Sequence, residues 1–342
     1  MVTKIGLDLG YANITISDVV AGIYREPSVA LIDKNTRRII SVGNSALERS
    51  EELADTALLV RPFKNGLLFD RQITKSIISN AVKGLPTDER VRCVMGVPSD
   101  ILPKQERELF AILVEEGIRD CYSVNRAVAA LIGADASPLQ SIISVNVGAC
   151  FTEIAVLNGG QVSYTQRSAV GGEDFDRAVK QYIYEQGGVV VSGAVAMAIK
   201  EKLGSVWRGK ESSSVDIEGT LTLTGNKVKM TVSTEDIVGV FEKPLHKLLM
   251  AVADCIKRIP LDNVENTFKN GIVLTGGGAM IHGLDKMMEN VLGVPVYQPE
   301  DAVDSVAKGL SMINSLIPVR GKSVCKNVTS LVSKYYKERN NS

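Results

Sequence analysis

Residues 4–17 (KIGLDLGYANITIS) alternate apolar and polar positions up to a Gly-containing turn, and the alternation resumes at Ile14 and Ile16 after Asn13. That pattern predicts two strands joined as a hairpin, not a strand feeding a helix. The signature returns at 141–157 (SIISVNVGACFTEIAVL), where a Val/Ile-rich strand reaches Gly148 and a second apolar strand runs from Ile154 to Leu157. Two hairpins of one plan, separated by nearly half the chain, predict two related halves and argue against a short-period solenoid.

Between the hairpins the spacing predicts a helix over 70–84, a buried strand at 91–97 halted by Pro98, and helices over 103–117 and 125–134. After the second hairpin, 171–186 reads as a Gly turn and an amphipathic helix with Phe175, Val179, Tyr182 and Ile183 on one face. Residues 212–234 alternate around a Gly-Asn turn, the pattern of a solvated sheet away from the main core. Helices follow over 235–258. A strand at 271–275 then runs into Gly276-Gly277-Gly278, with helices from about Leu284 and near 302–316. Strands alternating with helices predict α/β layers.

Composition narrows the function. A chain of 342 residues with 45% hydrophobic positions can bury two or more cores, and 39 Lys+Arg against 39 Asp+Glu excludes a whole-surface nucleic-acid binder. The five cysteines (Cys93, Cys121, Cys150, Cys255 and Cys325) are odd in number, far apart and never in a C-x-x-C pair. They fit neither a disulfide framework nor a zinc site, which suits a reducing cytoplasm. The start, MVTKIGLDLG, has no apolar signal-peptide core, and no run approaches the eighteen or so apolar residues of a spanning helix. A soluble protein, or one resting on a membrane surface, is expected.

Three turns bring glycine backbone to the end of a buried strand, at Gly10, Gly148 and Gly276–Gly278. Bare N–H groups there allow close approach to phosphate oxygens. Asp8 reads either as a carboxylate beside a bound Mg²⁺, reached through water, or as an Asp that merely closes a turn. Lys200 and Glu201, taken alone, read as solvated helix charges.

The order of the motifs decides between these readings. DLGYAN (8–13), RPFKNG (61–66), GVPS (96–99), VGGEDFD (170–176), IKEKLGS (199–205) and VLTGGGAMIHGLD (273–285) resemble, in register from about residue 4 to 317, the MreB family of bacterial actins. The resemblance implies an α/β actin-like ATPase fold with ATP or ADP and Mg²⁺ in a cleft between two domains. These are 1–140, with a small subdomain at about 30–95, and 141–317, with one at about 180–250. It also implies that Asp8 (the Mg²⁺ carboxylate), Gly10, Ala12 and Asn13 form the first phosphate loop and Gly148 the second. Gly171 and Gly172 fall near the phosphates, Lys200 and Glu201 near adenine and ribose, and Gly276, Gly277 and Gly278 under the nucleotide.

Two stretches depart from the family pattern. Where MreB proteins read V-D-I-G-G-G-T-T-E, this chain has Val145-Asn146-Val147-Gly148-Ala149-Cys150-Phe151-Thr152-Glu153. A negative charge is lost at Asn146, and Cβ atoms are added at Ala149 and Cys150 where the chain must approach the terminal phosphate. Arg126 falls on the family's water-orienting Glu, and an Arg cannot act as a general base at neutral pH, though it can serve as a fixed cation. A local helix shift that turns Arg126 outward is the alternative. Impaired hydrolysis is therefore expected, with no catalytic residue assigned. Cys150 reads as a small filler, not a reactive thiol.

Beyond Pro318, the basic tail 318–342 carries Val324, Val328, Leu331, Val332 and Tyr335 at helical spacing beside Lys322, Lys326, Lys334, Lys337 and Arg339. It suits either an interfacial membrane anchor or a helix docked on protein. By resemblance, the chain is expected to form ATP-linked filaments at the inner face of the cell membrane. There it would act with the cell-wall elongation machinery in setting rod shape, co-assemble with other MreB-like proteins, and bind no nucleic acid. The alternatives are a non-hydrolysing scaffold or modulator and a chaperone-like ATPase.

Overall fold

The computed structural model describes residues 2–340 apart from 19, 65–66, 69, 86–89 and 319–323. The last two residues of RPFKNG, Lys322 of the tail, and the side chains of Tyr335 and Arg339 lie outside the described residues.

Two large sheets repeat one plan. The first has six strands in the order Val324–Asn327, Asp120–Asn125, Arg90–Val97, Val2–Leu9, Asn13–Asp18, Gly22–Pro27. The second has five, in the order Gln161–Ser168, Thr152–Asn158, Ile142–Val147, Ile272–Thr275, Val296–Tyr297. Val2–Leu9 pairs antiparallel with Asn13–Asp18, placing Leu9 opposite Ile14, and parallel with Arg90–Val97. Ile142–Val147 pairs antiparallel with Thr152–Asn158, placing Val147 opposite Thr152, and parallel with Ile272–Thr275. The two hairpins read from the sequence are thus the equivalent starts of two equivalent sheets. Ile142–Val147 is buried along its whole length, as a central strand covered on both faces requires.

Helix Gly172–Gly187 buries Phe175, Val179 and Ile183 in the core of the second sheet. Phe175 meets Phe241 edge to face at 5.1 Å. Tyr182 of the same stripe stays half-buried, its hydroxyl donating to Asp236 at 3.2 Å. Two smaller three-stranded sheets project from the halves: one built from Ala30–Asp33, Ile39–Val42 and Ala57–Val60, the other from Val189–Val190, Ser214–Leu221 and Lys227–Ser233.

Between the large sheets lie two helices, Arg126–Gly133 and Ser305–Leu316, each seated on the sheet of the opposite half. Ser144 Oγ donates to Ala127 O at 3.1 Å, tying the first helix to the second sheet. Asn314 Nδ2 donates to Ile5 O and Arg92 O at 2.9 and 3.1 Å, and Ser17 Oγ to Ala307 O at 2.6 Å, tying the later helix to the first sheet. The two helices meet backbone to backbone. A Cβ on Gly133 would lie 1.8 Å from Ser305 O, and one on Gly309 would lie 1.8 Å from Ala129 O. Gly309→Ala is therefore expected to lose about 1–3 kcal/mol in urea denaturation, the usual range for overpacking, because the obstructing atom belongs to backbone and cannot swing aside. An unchanged midpoint would show that the crossing can relax.

The tail docks on the body of the protein. Helical spacing suggested a continuous helix from Val324, but Val324–Asn327 forms a strand added in parallel to the exposed edge of Asp120–Asn125, and the helix begins at Thr329. V-C-K-N-V fits either period, and the open sheet edge decides it. Val328 and Val332, at the centre of the tail's apolar stripe, are fully buried, as the docked-helix alternative requires. Val328 N donates to Ser123 O at 2.9 Å, Asn125 N to Thr329 Oγ1 at 2.9 Å, and Ser333 Oγ to Gly160 O in the second half.

Candidate functional site

The turns that close the two hairpins converge on a cluster of charge. Asp8 stands near the end of the first strand of its sheet, and Glu153 is paired in register with Asn146 in the other. Arg126, the first residue of helix Arg126–Gly133, reaches between them, so it is not turned outward. Its Nε donates to Asp8 Oδ1 at 2.9 Å, its Nη1 to Glu153 Oε2 at 3.1 Å, and its Nη2 to Leu9 O at 3.2 Å. The Arg126 side chain is 6% exposed, Glu153 1% and Asp8 19%. Burial opposes the charge on Arg126, but Asp8 and Glu153 more than offset it and hold the guanidinium above its ordinary range. Burial pushes the Glu153 carboxyl up, with Arg126 pulling it the other way.

Neighbouring polar groups fix this triad in place. Asn125 caps its own helix by accepting from Ala127 N at 2.8 Å, and its Nδ2 donates to Ser99 Oγ at 3.1 Å. Ser99 N in turn donates to Glu153 Oε1 at 3.4 Å, which gives the GVPS motif a role in holding that carboxylate. Asn146 Oδ1 accepts from Thr275 Oγ1 at 3.3 Å and sits against Gly276, where a Cβ would meet it at 2.6 Å.

The glycines divide into two kinds. Gly276 has φ +88°, and a Cβ on Gly278 would strike Val147 Cγ1 at 2.3 Å, so both are required by packing on the central strand. Gly277 between them is exposed, with nothing within 4 Å of a Cβ position, and it presents bare backbone to open space. Gly171 lies under the second loop, where a Cβ would come 2.6 Å from Phe151 N. Gly172 N and Glu173 N donate to Gly148 O and Ala149 O at 2.9 and 2.7 Å. These first amides of helix Gly172–Gly187 therefore clamp the loop and are not free for a ligand.

In the first loop a Cβ on Gly10 would lie 2.6 Å from Asn13 O, so the turn closes tightly there. Ala12 O accepts from Ser28 N at 2.8 Å and from Arg61 Nη1 at 3.2 Å. Arg61 of RPFKNG also donates to Tyr11 O at 2.8 Å and lies 4.9 Å over the Tyr11 ring, a bracing role that the motif alone did not disclose. Burial, then Glu173 in the other half, raises the Tyr11 hydroxyl. Burial followed by Glu173 and Asp174 raises the Cys150 thiol, so it is no activated nucleophile. Lys200 pairs with Asp176 at 2.9 Å and donates to Gly172 O at 3.4 Å, while Glu201 beside it is exposed. A cavity of about 760 Å³ bounded by Trp207, Lys210, Phe241 and Met287 includes none of these loops.

Paired hairpin sheets with crossed helices between them, and glycine turns meeting at the strand ends, define an actin-like protein. The MreB/Mbl protein family model matches residues 2–320, and the chain belongs to that family. It is 27% identical over 315 residues to the cell shape-determining protein Mbl of Bacillus cereus, covering 90% of this chain and 95% of that one. To the cell shape-determining protein MreB of Escherichia coli K12 it is 26% identical over 328 residues, covering 93% and 94%. Among solved structures it superposes on MreB5 of Spiroplasma citri bound to ADP with a TM-score of 0.86 at 22% identity, covering 91% and 96%. On MamK in a double helical filament the TM-score is 0.78 at 20% identity, covering 93% and 100%.

Proposed function

We propose that this chain is a cell-shape cytoskeletal subunit that binds an adenine nucleotide between its halves, assembles head to tail into filaments, and hydrolyses ATP slowly or not at all. The observation that carries the last point is Arg126, locked by hydrogen bonds between Asp8 and Glu153. A guanidinium that is never deprotonated cannot accept a proton from water, and here it is also immobilised by two carboxylates. The Asn146 carboxamide removes a further negative charge. Filament formation is supported by the relatives' cell-shape role and by the MamK filament, since contacts that do not close into a ring propagate. Residence at the inner face of the cell membrane, alongside the wall-synthesis machinery and other MreB-like proteins, belongs to the same reading. Because Val328 and Val332 are already buried, any membrane contact would use another surface.

A second reading, a non-hydrolysing scaffold or modulator of an active relative, is favoured by the same Arg126 lock. Phosphate release from ATP is expected to run at least about tenfold below that of an MreB carrying the family's Glu. Equal turnover would refute impaired hydrolysis. Electron microscopy with and without nucleotide separates the two readings: nucleotide-dependent filaments support the first, nucleotide-insensitive ones the second.

A further inference from the structure

The resemblance assigns Mg²⁺ to Asp8, and the donor set does not fit that ion. Mg²⁺ takes hard oxygen ligands in near-ideal octahedral geometry and keeps its waters through carboxylates free to accept from them. Here Asp8 Oδ1 accepts from Arg126 Nε at 2.9 Å, and Glu153 Oε2 from Arg126 Nη1 at 3.1 Å. Asn146 offers a neutral carboxamide whose oxygen accepts from Thr275. A divalent ion beside Asp8 would face a fixed guanidinium in a poorly screened setting, or would have to displace it from both carboxylates.

We infer that Arg126 is the resident cation of the site, standing where a divalent ion would otherwise neutralise Asp8 and Glu153, so that adenine nucleotide binds without magnesium. This rests on the nucleotide reading above. Two carboxylates with no cation would repel a phosphate chain. With Arg126 between them the triad carries one net negative charge in place of two, before any metal arrives. Three of the five guanidinium N–H bonds go to Asp8, Glu153 and Leu9, which leaves two for other acceptors. The cation is covalently supplied and cannot be removed by a chelator.

The test is calorimetric titration of the purified full chain with ADP, and separately with ATP, once in excess magnesium and once in excess EDTA. The dissociation constant is expected to change by less than about threefold between the two conditions, under half, in free energy, of the roughly 1.4 kcal/mol that a tenfold change represents. A larger loss of affinity in EDTA overturns the inference and leaves the nucleotide reading standing. Absence of uptake in both conditions overturns both. In Arg126→Gln, which frees both carboxylates, magnesium is expected to raise the melting temperature, whereas it should leave the wild-type value unchanged. A wild-type melting temperature that rises with magnesium alone would also count against the inference. The wild-type titrations decide the matter whether or not the variant folds.

Discussion

Arg126→Ala is expected to lower folding stability by about 3–5 kcal/mol, the cost of leaving a buried charge without its partner. Glu153 is 1% exposed and would retain only the long hydrogen bond from Ser99 N at 3.4 Å. Asp8, at 19% exposure, is partly hydrated and contributes less of the loss. The deficit should depend on pH in a definite direction. Burial already places the folded-state Glu153 carboxyl above its ordinary value, and removing the guanidinium raises it further. A carboxyl raised in the folded state favours folding below its unfolded pKa, and that contribution is lost as pH rises through the folded value. The variant should therefore be most impaired at neutral pH, with the gap to wild type narrowing as pH falls toward the ordinary carboxylate range. Urea denaturation at the two pH values measures this. An equal deficit at both would mean that Glu153 is not the stranded group.

Arg92→Ala should have a comparable effect, about 3–5 kcal/mol, at a place remote from the loops. Arg92 is fully buried; its Nε donates to Asp120 Oδ2 at 2.9 Å and its Nη1 to Ile317 O at 2.9 Å, and it lies 5.8 Å over the Tyr122 ring. It thus joins a central strand, the chain just past the crossing helix and the strand beside the tail. Among the described residues, truncation would leave Asp120, 1% exposed, with Arg90 at 3.5 Å as its remaining ion-pair partner. Replacing both partners by apolar residues nearer their size, as in Arg92→Met with Asp120→Val, should recover most of the loss, since no buried charge is then stranded. The sum of the two single losses exceeding that of the double variant is the expected signature in a mutant cycle. Additive losses would remove the coupling.

Much of the fold was legible because the local signals agreed. The expected 103–117 helix appears as Pro103–Glu115, the expected 91–97 strand as Arg90–Val97, and the Gly turn and helix at 171–186 as Gly172–Gly187. Strand Asp120–Asn125, buried along its whole length, was missed because Ser123 and Asn125 interrupt the continuous apolar run such a strand would show, their polar groups being satisfied by Glu106 and Ser99. Tertiary partners of that kind leave no periodic trace. The same holds for the cysteines: Cys121 stands in register with both Cys93 and Cys325, across strands that sequence distance keeps far apart. At the site, the altered positions Arg126 and Asn146 could be named from the motif. Their contacts could not, because Arg126 finds its acceptors through two sheets that only the folded chain brings together.

The glycine crossing of Arg126–Gly133 with Ser305–Leu316 has a mechanical consequence. With no side chain between the backbones at Gly133 and Gly309, the halves have no cushion on which to slide, and twisting about that point is the motion left to them. Arg126 begins one of the two helices and grips a carboxylate in each half, so it travels with the pivot and resists that twist from its first degrees.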